Sequence, residues 1–257
     1  MSPLPDIHIF SDPQEVAARA ADIFLKSGAQ AIAASNRFLV ALSGGSTPRM
    51  LYSMLAAADR ARRLEWSKVH FFFGDERCVP PSHPDSNFAM TNEALFRPLD
   101  ISDSQIHRMR GEDPPEASAV QYENTMRQLC GRAAGEWPVL DLVLLGLGND
   151  GHTASLFPGT DSLNETIRWV VPSLAPQGTR SRLTLTLGVI NHASMILFMV
   201  TGLPKAQIIQ RVLEGEPTDA VHHPAELVQP HNGRLLWYLD RAAASGLSVS
   251  GRKESSR

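Results

Sequence analysis

The sequence predicts an α/β fold with a mostly parallel sheet, helices on both of its faces and an antiparallel edge portion. Three observations carry that expectation. Four runs, at residues 38–42, 69–73, 140–145 and 195–200, are almost wholly apolar. A strand covered by helices on both faces has this composition, because neither side meets water. Segments of helical period alternate with such runs from end to end. One run, at residues 182–187, instead alternates apolar and polar side chains and reads as antiparallel or at an edge.

In chain order, His8, Ile9 and Phe10 form a short strand. Ser11-Asp12-Pro13 supplies a helix start with proline near the first turn. Residues 16–34 are alanine-rich, with Val16, Ala20, Ile23 and Phe24 at helical spacing. They make one long helix, with Gly28 as its expected weak point. The run 38–42 leads into Ser43-Gly44-Gly45-Ser46-Thr47-Pro48. Thr47 suits an N-cap and Pro48 the first helical position, and Met50, Leu51, Met54 and Leu55 give the apolar face. The run 69–73 ends in Gly74-Asp75-Glu76-Arg77. A stiff, proline-rich loop follows, and Ser86-Asn87 opens a helix through Phe96. Residues 106–109 read as a short strand, and a helix starts at Pro114 and ends near Gly131 with Val120, Met126 and Leu129 inward. After 140–145 come a strand at Trp169-Val170-Val171, the alternating run and a helical turn at 189–193. The strand 195–200 precedes a helix at 206–213, a short helix at 224–228, a last strand at 235–240 and a brief helix at 241–244. Residues 248–257 are polar and read as a frayed tail, so one domain spans residues 1–247.

The 257 residues are 43% hydrophobic and 20% charged, with a net charge of -3. That charge, without a basic block before the last residues, disfavours nucleic acid or an anionic membrane as partner. No apolar run has the length of a membrane span. Met-Ser-Pro-Leu-Pro-Asp at the start lacks the regions of a signal peptide. Cys78 and Cys130 show no metal-type pairing and fit a cytoplasmic, thiol-reduced protein. Cys78 has no evident histidine partner and reads as a small structural residue. His222-His223 are adjacent and cannot mimic zinc ligands one helical turn apart.

Ligands of open α/β sheets bind at the carboxyl ends of the strands. Four buried strands deliver Gly44-Gly45-Ser46-Thr47, Asp75-Glu76-Arg77, Asp150-Gly151-His152 and Lys205 to those ends. The glycine turn aims amides and the positive end of a helix at an anion, although it lacks the G-K-[ST] ending of a Walker loop. Its bland alternative is a turn that simply needs glycine; the three flanking hydroxyl residues favour phosphate. Three charges straight after strand 69–73 either reach solvent or line a site. Lys205 stands at a helix start, where a cation does not complement the dipole, so it is expected to face an anion. Gly146, Gly148 and Gly151 match G-x-G-x-x-G, but Phe157-Pro158-Gly159 forbids a long helix there and Asp150 would repel a pyrophosphate. No G-x-S-x-G is present. An anion-binding turn, two cations, carboxylates and an imidazole suit a small phosphorylated substrate and acid–base chemistry elsewhere on it.

Together these segments resemble the 6-phosphogluconolactonase family, within a group that also holds glucosamine-6-phosphate deaminase. The resemblance rests on Ser43 to Pro48, Gly74 to Arg77 with Ser86-Asn87, Gly148 to Gly159, Arg182-Leu183-Thr184-Leu185-Thr186 and Gly202-Leu203-Pro204-Lys205. It covers the chain from about Ser11 to Asp240. It implies a single-domain, Rossmann-like sheet, no metal and no organic cofactor. It implies hydrolysis of 6-phosphoglucono-δ-lactone to 6-phosphogluconate, in the oxidative pentose phosphate pathway, by a monomer or small homo-oligomer. His152 would be the general base and Asp150 its acidic neighbour. Arg77, Lys205, Gly44, Gly45, Ser46 and Thr47 would hold the phosphate, with Asp75 among the substrate contacts. The nearest oxyanion donors would be loop amides near Gly148. The deaminase is the rival reading, and a non-catalytic phosphosugar-binding module is the third. In the deaminase a glutamate follows the histidine by five positions; here Phe157 stands there, and Asp-Glu-Arg replaces Asp-Glu-Tyr. Both departures favour the lactonase.

Overall fold

A computed structural model describes residues 5–131, 135–215 and 223–248. His222 and the tail beyond Ser248 lie outside them. The strands are β1 (Asp6–Phe10), β2 (Phe38–Leu42), β3 (Val69–Phe73), β4 (Asp75–Arg77), β5 (Leu142–Leu145), β6 (Val170–Leu174), β7 (Ser181–Leu185), β8 (Met195–Val200) and β9 (Arg234–Asp240). The helices are α1 (Pro13–Ser35), α2 (Ser46–Leu55), α3 (Ala58–Ala61), α4 (Asn87–Thr91), α5 (Pro115–Cys130), α6 (Leu187–Asn191) and α7 (Ala206–Glu214). A π turn, Asn92–Phe96, continues α4.

Six strands form the main sheet in the order β1-β9-β8-β5-β2-β3, with every neighbouring pair parallel. β4, β7 and β6 make a small antiparallel sheet of their own. Gly74 joins the two: its N–H donates to Leu42 O at 2.8 Å, and its C=O accepts from Leu185 N at 2.8 Å. The near-continuous apolar composition of the central strands follows from their burial on both faces. Along β8, Ile196, Phe198 and Val200 join the apolar cluster that includes α5, α6 and α7, while Leu197 and Met199 join the cluster under α1 and α2. Trp237 lies flat on Phe198, with ring centroids 4.0 Å apart.

Several elements differ in detail from the sequence reading. α1 passes through Gly28 unbroken, because a side chain there would meet Leu64 and Phe38 and burial of that face outweighs glycine's low propensity. α2 begins at Ser46 with Gly45 as its cap residue, so Thr47 and Pro48 are already inside it. Residues 106–109 make a single parallel bridge, Phe71 to Ile106, rather than a strand. Val120 is 52% exposed; Ala119, Tyr122 and Met126 set the inward face of α5. Asp75, Glu76 and Arg77 themselves form β4.

His70 of β3 and His107 share a 3.2 Å contact between Nδ1 and Nε2. Burial, together with the neighbouring His70, pushes His107 down from an ordinary 6.5 to about 4. Its folded value is depressed, so protons favour the unfolded chain. The contribution of His107 to stability is complete above its ordinary value and is lost as pH falls through about 4. Denaturant unfolding of wild type and His107→Gln at a series of pH values checks this. The wild type is expected to lose more stability than the variant between pH 6.5 and 4; parallel curves would contradict it.

Candidate active site

β2, β3, β5 and β8 run in one direction, so their carboxyl ends share one rim of the sheet. A crevice of about 660 Å³ opens on that rim. Its volume lies inside the range of about 300–1,000 Å³ typical of small-molecule sites. Ser43, Gly44 and Gly45 line it after β2, and Asp75 and Arg77 line it from β4. Gly146 to Asp150 and His152 line it after β5, Arg182 from β7, and Lys205 after β8. Five segments remote in sequence therefore meet at one place.

The loop after β5 turns back on itself. Gly148 N donates to His152 O at 2.8 Å, and Gly151 N donates to Gly148 O at 3.1 Å. The Gly148 amide is therefore already engaged and is not an available oxyanion donor. A Cβ at Gly148 would fall 2.0 Å from His152 Nδ1, so only glycine lets the imidazole fold over this loop. His152 Nδ1 lies 2.5 Å from Asp150 Oδ1, and the same oxygen accepts from His152 N at 3.1 Å. Burial alone would raise the Asp150 carboxyl. The two His152 hydrogen bonds and the imidazole charge outweigh it and hold the carboxyl below its usual range. An ionised carboxylate only accepts, so Nδ1 carries a proton in this contact, and in the neutral ring that tautomer leaves the Nε2 lone pair free. The Phe157 ring packs 4.6 Å from the imidazole. Ala154, two residues on, holds φ 49, a left-handed conformation that is strained for alanine.

The cations meet in the same space. Arg77 and Arg182 are direct cross-strand partners in the β4–β7 pair. The Nε of each is buried and has no hydrogen-bond partner among the described residues. Among those residues neither guanidinium forms an ion pair; Arg77 Nη1 instead donates to Asp85 O. Burial and the neighbouring Arg77 push Arg182 below its ordinary value. Lys205 Nζ donates to Asn149 Oδ1 at 2.7 Å, tying it to the histidine loop. Its own value is lowered by burial, an effect that Asp150 opposes.

The carboxylates nearby are occupied by hydrogen bonds. Asp75 accepts from Ser155 Oγ at 2.6 Å and from Asn87 Nδ2 at 3.2 Å. Asn87 in turn packs on Gly44, where a Cβ would lie 1.9 Å from its Oδ1. Glu76, only 2% exposed, accepts from the backbone N–H groups of Arg77, Asn87 and Phe88, each at 2.8 Å, and from Ser86 Oγ at 3.0 Å. It holds the start of α4 rather than lining the crevice, and burial pushes its carboxyl up.

Of the residues singled out from the sequence, Gly44, Gly45, Asp75, Arg77, Asp150, His152 and Lys205 all line the crevice. The side chains of Ser46 and Thr47 do not; Thr47 Oγ1 bonds Thr201 Oγ1 at 2.9 Å. Arg182, Ser155 and Asn87 were missed as site residues. The alternation at 182–187 holds the signal for Arg182, which shares a face with Thr184, the strand partner of Asp75. Cys78 is half-buried, and burial raises its thiol, so no reactive thiolate stands beside Arg77. Among the described residues no three His, Cys, Asp or Glu side chains converge to hold a metal ion.

Fold and crevice together define a Rossmann-like α/β protein whose crevice gathers cations and one oriented imidazole. Residues 11–237 match the family model of glucosamine-6-phosphate isomerases and 6-phosphogluconolactonase. A 6-phosphogluconolactonase of Nostoc sp. is 40% identical over 244 residues, covering 95% of this chain and 98% of the relative. The human 6-phosphogluconolactonase is 39% identical over 252 residues, covering 97% and 96%. The solved 6-phosphogluconolactonase of Trypanosoma cruzi superposes with a TM-score of 0.86 at 31% identity, covering 96% of this chain and 98% of that one. A monomeric glucosamine-6-phosphate deaminase shares the fold, with a TM-score of 0.77 at 22% identity. The chain belongs to the glucosamine-6-phosphate isomerase/6-phosphogluconolactonase family.

Burial and the neighbouring Arg77 weigh against the charge of Arg182 more than the nearby Asp75, Asp85 and Glu76 support it. Arg182→Met, which keeps most of the volume and removes the charge, is expected to raise stability in anion-free buffer by about 1 kcal/mol. Thermal unfolding measures this, and a lower melting temperature in the variant would contradict the repulsion.

Proposed function

We propose that this chain hydrolyses 6-phosphoglucono-1,5-lactone to 6-phosphogluconate, in the oxidative pentose phosphate pathway, with His152 as general base. The observation that carries this reading is the 2.5 Å contact between His152 and Asp150, made in a crevice that also collects Arg77, Arg182 and Lys205. The full-length likeness to curated 6-phosphogluconolactonases supports the same activity.

The three cations receive the substrate's phosphate, and the start of α2, which has no side-chain cap, adds its free amides and dipole. Gly44, Gly45, Ser46 and Thr47 contribute through this backbone. Asp75 accepts a sugar hydroxyl with the lone pairs that Ser155 and Asn87 leave free. With the phosphate fixed, the lactone carbonyl comes to the imidazole. His152 Nε2 takes a proton from water, and the hydroxide adds to the carbonyl carbon. As the tetrahedral adduct collapses, the ring C–O bond breaks and the imidazolium returns its proton to the leaving ring oxygen. Asp150 keeps Nδ1 protonated throughout and stabilises the transient imidazolium. Phe157 brings no ionisable group to the histidine, as suits a lactone that opens without a separate acid.

Residues 1–247 make one domain in this reading, and the enzyme works in the cytoplasm as a monomer or small homo-oligomer. Net charge and the small number of cysteines, Cys78 and Cys130, fit that setting. No helix among the described residues is long and apolar enough to cross a membrane.

Two measurements test the assignment, both with spontaneous lactone hydrolysis subtracted. His152→Ala is expected to lose about 10²-fold or more of kcat while still binding 6-phosphogluconate; near-normal turnover would remove it as the base. Arg77→Ala is expected to raise KM by about tenfold or more with a smaller change in kcat, the loss of a charge-assisted contact. An unchanged KM would exclude its phosphate role.

A further inference from the structure

We infer that His223, which lies outside the crevice wall, is a positioning residue that fixes the Asp150–His152 pair through the backbone of their loop. The inference rests on the proposed lactonase reading and extends it to a residue the mechanism does not use. Internal hydrogen bonds hold the loop's amides at Gly148 and Gly151. The carbonyls of Asp150 and Gly151 are held from elsewhere, by one strap of chain. His223 Nδ1 lies 3.1 Å from Asp150 O, and Ala225 N donates to Gly151 O at 3.0 Å. A carbonyl only accepts, so His223 Nδ1 carries the hydrogen.

Shape repeats what the hydrogen bonds show. Gly151 adopts φ 80, and a Cβ there would stand 2.5 Å from His223 Cβ and 2.7 Å from its Nδ1. The histidine fills the space beside the one residue that separates Asp150 from His152. The rear of the strap is anchored as well. Asn191 Nδ2 donates to Leu227 O at 2.9 Å, and Asn191 Oδ1 accepts from Gln229 N at 2.8 Å. Ala225 and Val228 are buried in the core under α7. The strap is therefore a fixed wall and His223 its front face.

The consequence is mechanical. Glycine at positive φ has a wide range of backbone conformations open to it. Without His223, the carbonyl of the peptide between Asp150 and Gly151 loses its partner, and only the Gly151 N–H bond to Gly148 O opposes a rotation that swings the carboxylate away from Nδ1. Arg77 and Arg182 stand on other elements, and Lys205 meets the loop at Asn149, ahead of the peptide that rotates. The chemical step should suffer, and substrate affinity should not.

The test compares kcat, KM and melting temperature of wild type, His223→Ala and His223→Asn on fresh 6-phosphogluconolactone. Asparagine places an N–H close to the position of Nδ1. His223→Ala is expected to lower kcat by about ten- to a hundredfold with KM changed by less than about threefold. His223→Asn is expected to recover most of that loss. Wild-type kcat in a folded alanine variant, or a loss that asparagine does not recover, overturns the inference. If the alanine variant does not fold, His223→Gln takes its place, with its N–H one bond too far out; a normal kcat there overturns the inference equally. Absence of turnover in the wild type would instead defeat the lactonase reading. The inference is then decided by the hydrogen-bonded His152 Nδ1 proton in NMR spectra. That resonance is expected to shift or vanish in His223→Ala and return in His223→Asn, and an unmoved resonance overturns the positioning role.

Discussion

Parallel pairing of β2, β3, β5 and β8 is the constraint on which everything else in the molecule depends. It forces the chain to leave each strand at the same rim, however far apart the strands lie in sequence. Gly74 extends the constraint to the small sheet. By bonding Leu42 on one side and Leu185 on the other, it carries Asp75, Arg77 and Arg182 to the rim where β5 delivers its histidine loop. The apolar clusters on the two faces keep that geometry stiff, because the residues of β2, β5 and β8 alternate between them without a polar gap.

The electrostatics of the rim follow from how its carboxylates are occupied. Asp150 is turned to His152, Asp75 to Ser155 and Asn87, and Glu76 to the backbone at the start of α4. None of the three forms a salt bridge to Arg77, Arg182 or Lys205 among the described residues. A site filled with its own ion pairs would have to break them to admit a phosphate. In the proposed function this one holds its cations ready for an anion, unpaired with those three carboxylates. In that proposed function the same division of labour separates binding from chemistry: cations from β4, β7 and the turn after β8 hold one end of the substrate, and the loop after β5 works on the other.

Much of this was legible in the sequence, for physical reasons that differ by element. Doubly buried strands reveal themselves by continuous apolar composition, so β2, β3, β5 and β8 and the residues at their ends could be read directly. Asp150 and His152 stood out because glycines flank them at the end of such a strand. Local propensity failed where tertiary packing decided the outcome. Gly28 sits inside a helix because Leu64 fills the space beside it, and Val120 faces solvent because Tyr122 and Met126 set the buried stripe. Arg182 and Ser155 escaped because their roles depend on pairing between β4 and β7 and on a turn packed across it, contacts 105 and 80 residues long. No local pattern encodes a partner that distant. His223 was weighed only as a zinc ligand; its hydrogen bond to Asp150 O spans 73 residues and leaves no mark on the surrounding sequence.

The central claim is geometric: one ligand spans from the cations to the imidazole. A crystal structure of the protein with bound 6-phosphogluconate measures this directly. The phosphate should lie among Arg77, Arg182 and Lys205, with the C1 carboxylate within about 3.5 Å of His152 Nε2. A product bound the other way round, or with its carboxylate remote from His152 while the phosphate is held, would contradict the claim.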